Sequence, residues 1–162
     1  MKRTPGMLLT VLVTGITLVA ATAAAQPAKT RMVAIRGGCL EVSANAKVAM
    51  TEVYPDAWLG YVQFPEVPRT VTWAAGMIAS RLNGSGNFAT TTTKSGDEIK
   101  YVGFTHAGDR GYVARIGVVE FSIVGDSKND LEQLLSVARC FRLDVTEDKC
   151  ERPENQSGRP AF

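Results

Sequence analysis

The sequence predicts an α+β fold: an antiparallel sheet of about five to six strands with two helices packed on one face. Three observations carry that reading. Short runs rich in β-branched and aromatic residues are separated by turn-forming pairs. Two stretches change to helical period. No sustained alternation of strand and helix appears that would imply parallel β-α-β units. A β-sandwich with a C-terminal helix is the second architecture compatible with the same order.

The chain opens "MKRTPGMLLTVLVTGITLVAATAAAQP". Lys2 and Arg3 precede an almost uninterrupted apolar run, and Ala23, Ala24 and Ala25 supply the small residues of a cleavage site. This is the pattern of a secretory signal peptide spanning residues 1–25. Cleavage there predicts a periplasmic or secreted protein with no membrane span left after processing. Of the 18 basic residues, the signal carries Lys2 and Arg3, so the mature chain has 16 basic against 16 acidic side chains. A formally neutral chain without a Lys/Arg run offers no electrostatic footprint for nucleic acid. About 137 of the 162 residues remain, one domain by length, expected to span residues 26–151.

Along that domain, "MVAI" and "CLEV" read as strands around Gly37 and Gly38. Residues 47–54 and 57–64 read as a hairpin closed by the turn pair Pro55-Asp56. In "VPRTVTWAAGMIASRLNG", Val71, Ala74, Ala75, Ile78 and Leu82 follow the spacing of one helical stripe, with Thr70 and Gly84 as caps. The runs "NFATTTT", "EIKYVGFTH" and "GYVARIGVVEFSIV" read as three strands of a meander. "DSKNDLEQLLSVA" predicts the second helix, because Ser127 and Asp130 form a capping box and Leu131, Leu134, Leu135 and Ala138 share a face. From Arg152 onward the chain loses apolar periodicity, and residues 152–162 are expected to be a mobile polar tail.

The cysteines number three: Cys39, Cys140 and Cys150. In an oxidising compartment they predict one disulfide and one leftover thiol. A link from Cys39 to Cys140 closes a loop of about 100 residues, against a short loop for Cys140 to Cys150, and loop entropy favours the former. The expected disulfide is therefore Cys39 to Cys140, with Cys150 outside the core. Cys140 to Cys150 stays open as the alternative, because a helix continuing through Cys140 would turn that side chain away from the leucine stripe.

Candidate chemistry is sparse. His106 is the one histidine, and Asp109 lies near enough in sequence to orient it for acid-base work. No serine or cysteine stands at a recognisable spacing beside it, which favours a polar residue at a hairpin tip. "NGSGNF" places its glycines after an expected helix, where the dipole repels phosphate. Glu147, Asp148 and Glu151 surround Cys150 but match no calcium or zinc spacing, so neither a metal nor a cofactor is expected. The most suggestive stretch is the aromatic hairpin with Tyr54, Trp58, Tyr61 and Phe64. Trp58, Val62 and Phe64 fall on one face and Leu59 and Tyr61 on the other, so one aromatic set must look away from the packed side. Exposed aromatics of this kind anchor interfaces.

Together these features predict an exported, non-catalytic binding module of the envelope-accessory or inhibitor type, whose partner is another exported or envelope protein. A small exported hydrolase using His106 and Asp109 is the alternative. The processing step gives the first testable outcome: intact-mass measurement of the exported protein should place Gln26 at its start, and a retained Met1 would overturn the localisation.

Overall fold

The computed structural model describes residues 29–65, 69–76 and 87–155; the expected signal peptide lies outside them. Strands β1 (Thr30–Ile35) and β2 (Gly38–Ser43) form a hairpin, followed by β3 (Lys47–Tyr54), β4 (Ala57–Gln63) and β5 (Val71–Gly76). A meander then comprises β6 (Ala89–Thr92), β7 (Glu98–His106), β8 (Asp109–Ile116) and β9 (Val119–Val124). Helix α1 (Lys128–Ala138) leads into the short strand β10 (Phe141–Arg142), a 3₁₀ turn at Glu147–Lys149 and a last strand β11 (Glu154–Asn155). One sheet has the order β1-β2-β10 and the other β11-β3-β4-β5-β9-β8-β7-β6. The molecule is thus predominantly antiparallel sheet with one helix among the described residues, nearer the sandwich reading than the two-helix one.

The first expected helix is corrected over its opening half. Val71–Gly76 is a central strand, hydrogen-bonded to β4 on one side and β9 on the other. Its buried residues alternate: Val71, Trp73 and Ala75 face the core. The helical stripe drawn through Ala74 and Ala75 omitted Trp73, whose bulk, with β-branched Val71 and Thr72, suits a pleated sheet. The remainder of that expected helix, including Ile78 and Leu82, lies outside the described residues. Gly60 sits opposite Trp73 in the register. A Cβ there would collide with the indole and with the Ala49 carbonyl, so only glycine lets the ring lie across β4.

A second correction concerns "GYVARIGVVEFSIV", which is two strands rather than one. Gly117 at φ 56° turns the chain between Ile116 and Val119, a conformation that glycine adopts without steric cost. The hairpin at residues 47–63 and the strand at 98–106 form at the positions expected.

Helix α1 begins with the expected capping box. The Ser127 hydroxyl accepts from the Asp130 N–H, and the Asp130 carboxylate accepts from the Ser127 N–H and hydroxyl. Asp130 is buried and also meets the Arg69 Nε at 2.6 Å. The Ser127 hydroxyl, more than the Arg69 charge, holds its carboxyl below the usual carboxylate range. Leu134, Leu135 and Ala138 are buried over β8 and β9. Beside them the three-stranded sheet contributes Val33, Ile35, Leu40 and Phe141 to the same core, where Phe121 and Phe141 meet edge to face at 5.8 Å. Helix and small sheet together therefore cover one face of the large sheet.

The cysteine assignment is overturned. Cys39 is bonded to Cys150, with Cα atoms 6.4 Å apart, and Cys140 is the free thiol. Loop entropy could not separate the partners, since loops of about 100 and 111 residues differ by only about 0.1 kcal/mol. Pairing geometry decides. Strand β10 sets Arg142, not Cys140, opposite Cys39, while the Cys140 carbonyl accepts from the Glu41 N–H one step further along. The chain then turns back through the 3₁₀ segment and brings Cys150 over β2. Cys140 instead lies beside the Lys94 ammonium, and its sulfur, more than the Glu41 carboxylate, raises the lysine above its ordinary pKa.

The end of the expected domain is tied into the small sheet. The Glu151 N–H donates to the Met32 carbonyl and its carbonyl accepts from the Ala34 N–H, so this residue extends the small sheet beside β1. Three residues later, β11 pairs in parallel with β3 on the edge of the large sheet. Residues 146–155 thus form a strap stitched to both sheets; residues 156–162 lie outside the described set. Accordingly, Cys39→Ser or Cys150→Ser should lower stability by about 2 to 5 kcal/mol in denaturant unfolding, while Cys140→Ser should shift it by less than about 1 kcal/mol.

Candidate functional site

The strap closes over an apolar opening between the sheets. Ala34 comes from β1, Met50 and Val53 from β3, and Trp58 from β4; Glu147, Asp148, Arg152 and Pro153 come from the strap. They enclose a cleft of about 270 Å³. The alternation of the hairpin places it there. Val48, Met50 and Val53 point to the interior across a bulge between Met50 and Glu52, and Val53 pairs with Trp58. The Trp58 ring is half-buried against the core, with the Arg36 guanidinium 5.9 Å from its centroid.

The four aromatics of the hairpin are divided between the two faces of the sheet. Trp58 and Phe64 pack toward the core, as the period-two reading requires, and Tyr61 lies on the opposite face with the Lys47 ammonium 5.9 Å from its ring. Tyr54, at the end of the hairpin, is 51% exposed, and its hydroxyl donates to the Glu52 carboxylate. Of the four, Trp58 alone lines the cleft.

The strap side is predominantly charged. Glu147 accepts the Gly37 N–H at 2.6 Å, which pins the 3₁₀ turn to the β1–β2 hairpin. Asp148 accepts from the Thr146 hydroxyl, and that bond more than any other influence keeps its carboxyl below the usual range. Arg31 meets Glu151 at 2.8 Å, fixing the strap at its crossing of β1. No family model matches the chain, and neither a curated protein nor a solved structure is significantly similar to it.

His106 and Asp109 face each other across a two-residue turn, Ala107 at φ 51° and Gly108 at φ 90°. Both are exposed, at a hairpin tip, and neither lines the cleft. Among the described residues, no three His, Cys, Asp or Glu side chains gather in a group able to hold a metal ion. A second depression, on the other face of the large sheet, is lined by Arg69, Thr70, Thr72, Ser122 and Val124. Three of its polar side chains are already engaged. The Thr72 and Ser122 hydroxyls bond each other at 2.7 Å, and Arg69 is held by Asp130 and the Val124 carbonyl. Of these two openings, the Trp58 cleft combines an apolar floor with charged groups at its mouth, the usual make-up of a ligand site.

Sequence reasoning singled out Trp58, Glu147 and Asp148 but had no reason to join them. Ala34, Met50, Val53, Arg152 and Pro153 were not marked. The signal that unites them is the Cys39 to Cys150 link, which carries the 147–153 segment to the hairpin.

Proposed function

We propose that the mature chain is an exported, non-catalytic binding module that acts in the periplasm or outside the cell on another exported or envelope protein. The observation that carries this reading is the Trp58 cleft, a half-buried indole beside Ala34, Met50 and Val53 under a charged strap. An aromatic anchor of this kind in a partly desolvated recess, ringed by polar side chains, is the arrangement found at the energetic centre of protein interfaces. The disulfide that shapes the recess belongs to an oxidising compartment and supports export. The hydrolase alternative draws less support, since the His106 and Asp109 pair is exposed at a hairpin tip and lines neither the Trp58 cleft nor the Thr72 depression.

Affinity capture tests the reading. Oxidised protein immobilised in extract from its own envelope should retain an exported protein, and Trp58→Ala should reduce its recovery by roughly tenfold or more. Arg152→Glu, a change at the exposed rim, should weaken recovery while leaving the melting temperature in place. Equal recovery by wild type and both variants would contradict the cleft as the binding surface.

A further inference from the structure

The charged groups around Trp58 are not equivalent, and the difference bears on what the cleft can receive. Its two carboxylates already have donors: Gly37 N–H for Glu147 and the Thr146 hydroxyl for Asp148. The guanidiniums of Arg36 and Arg152 have no acceptor among the described residues. Arg152 lines the cleft and is exposed, Arg36 stands over the Trp58 ring, and neither has an ion-pair partner among the described residues. Each guanidinium presents five N–H donors in a planar fork that matches a carboxylate. The apolar floor of Ala34, Met50 and Val53, with a volume of about 270 Å³, suits one aromatic or short acyl group rather than a larger molecule.

Resting on the binding-module reading above, we infer that the Trp58 cleft takes an apolar group bearing a carboxylate, its apolar part against Trp58 and Met50 and its carboxylate on Arg152, with Arg36 adding to the attraction. The same chemistry is offered by a small free acid and by the C-terminal residue of a partner chain ending in an apolar side chain. A cation in the same place would meet two guanidiniums that repel it and carboxylates that each already accept a hydrogen bond. A neutral apolar group would fill the floor and leave both guanidiniums without acceptors.

The test uses the mature oxidised protein and follows the indole N–H signal of Trp58 by NMR, identified through its loss in Trp58→Phe. The probes are 3-phenylpropanoate, its neutral amide, and the tripeptide Gly-Gly-Phe with its C-terminus free or amidated. Each acid should bind roughly tenfold more tightly than its amide, a difference of about 1.4 kcal/mol. Arg152→Gln and Arg36→Gln, with melting unchanged, should each reduce that preference while sparing the amides. A tripeptide acid that outbinds the small acid identifies a chain terminus as the source; equal affinity identifies a free acid. Acid and amide binding alike, or the amide binding more tightly, with the Trp58 signal shifting, would overturn the carboxylate inference and leave the cleft reading standing. An acid preference untouched in a folded Arg152→Gln would also overturn it. No shift with any of the four probes would overturn the carboxylate inference, while the binding-module reading stands or falls on the capture of an exported protein by wild type against Trp58→Ala.

Discussion

The covalent bond between Cys39 and Cys150 is the constraint on which the C-terminal strap, and with it the cleft, depends. Cys39 is fully buried in the small sheet, and Cys150 lies in a polar segment that has few apolar side chains to hold it down. Without that anchor, the strap would rest on single contacts: the Glu147 bond to Gly37, the two backbone bonds of Glu151, the Arg31 ion pair and the two-residue pairing of β11. Most of these are at the surface, where an ion pair contributes about 0–1 kcal/mol and an isolated hydrogen bond about as much. Closing a loop of 111 residues contributes on the order of 4 to 5 kcal/mol in the chain-entropy model. The covalent link therefore outweighs any one of the strap's other attachments.

The consequence reaches the candidate site. Strap residues supply one wall of the cleft and sheet residues supply the floor, so the recess exists only while both sheets are stitched together. The floor is rigid for a different reason. Trp73, fully buried in a central strand, lies across Gly60 and locks β4 and β5 in register, which fixes the hairpin that carries Trp58. A well-packed sheet on one side and a cross-linked polar segment on the other give the cleft one firm wall and one that depends on oxidation.

Much of the framework was legible in the sequence because local signals and tertiary packing agree there. The hairpin around Pro55-Asp56 and the capping box at Ser127 combine turn chemistry with the correct period, and both form where expected. The failures share a cause. At Val71–Gly76 the alanines fit a helical stripe, but burial of Trp73 between two neighbouring strands overrides that preference. At Gly117 a single glycine inside an apolar run was too weak a mark for a turn. The cleft was illegible because its walls lie about 100 residues apart in the chain, and the pairing that unites them turns on strand register. Loop length is nearly the same for Cys140 and Cys150, and the polar surroundings of Cys150 argued against it, although a disulfide is what allows such a segment to stay folded.

Peptide mapping under non-reducing conditions, with free thiols alkylated before digestion, tests this account most directly. The account predicts a cross-linked pair joining the peptides of Cys39 and Cys150, with Cys140 recovered in alkylated form. Recovery of Cys140 in any intramolecular link, or of Cys150 as an alkylated thiol, would contradict it.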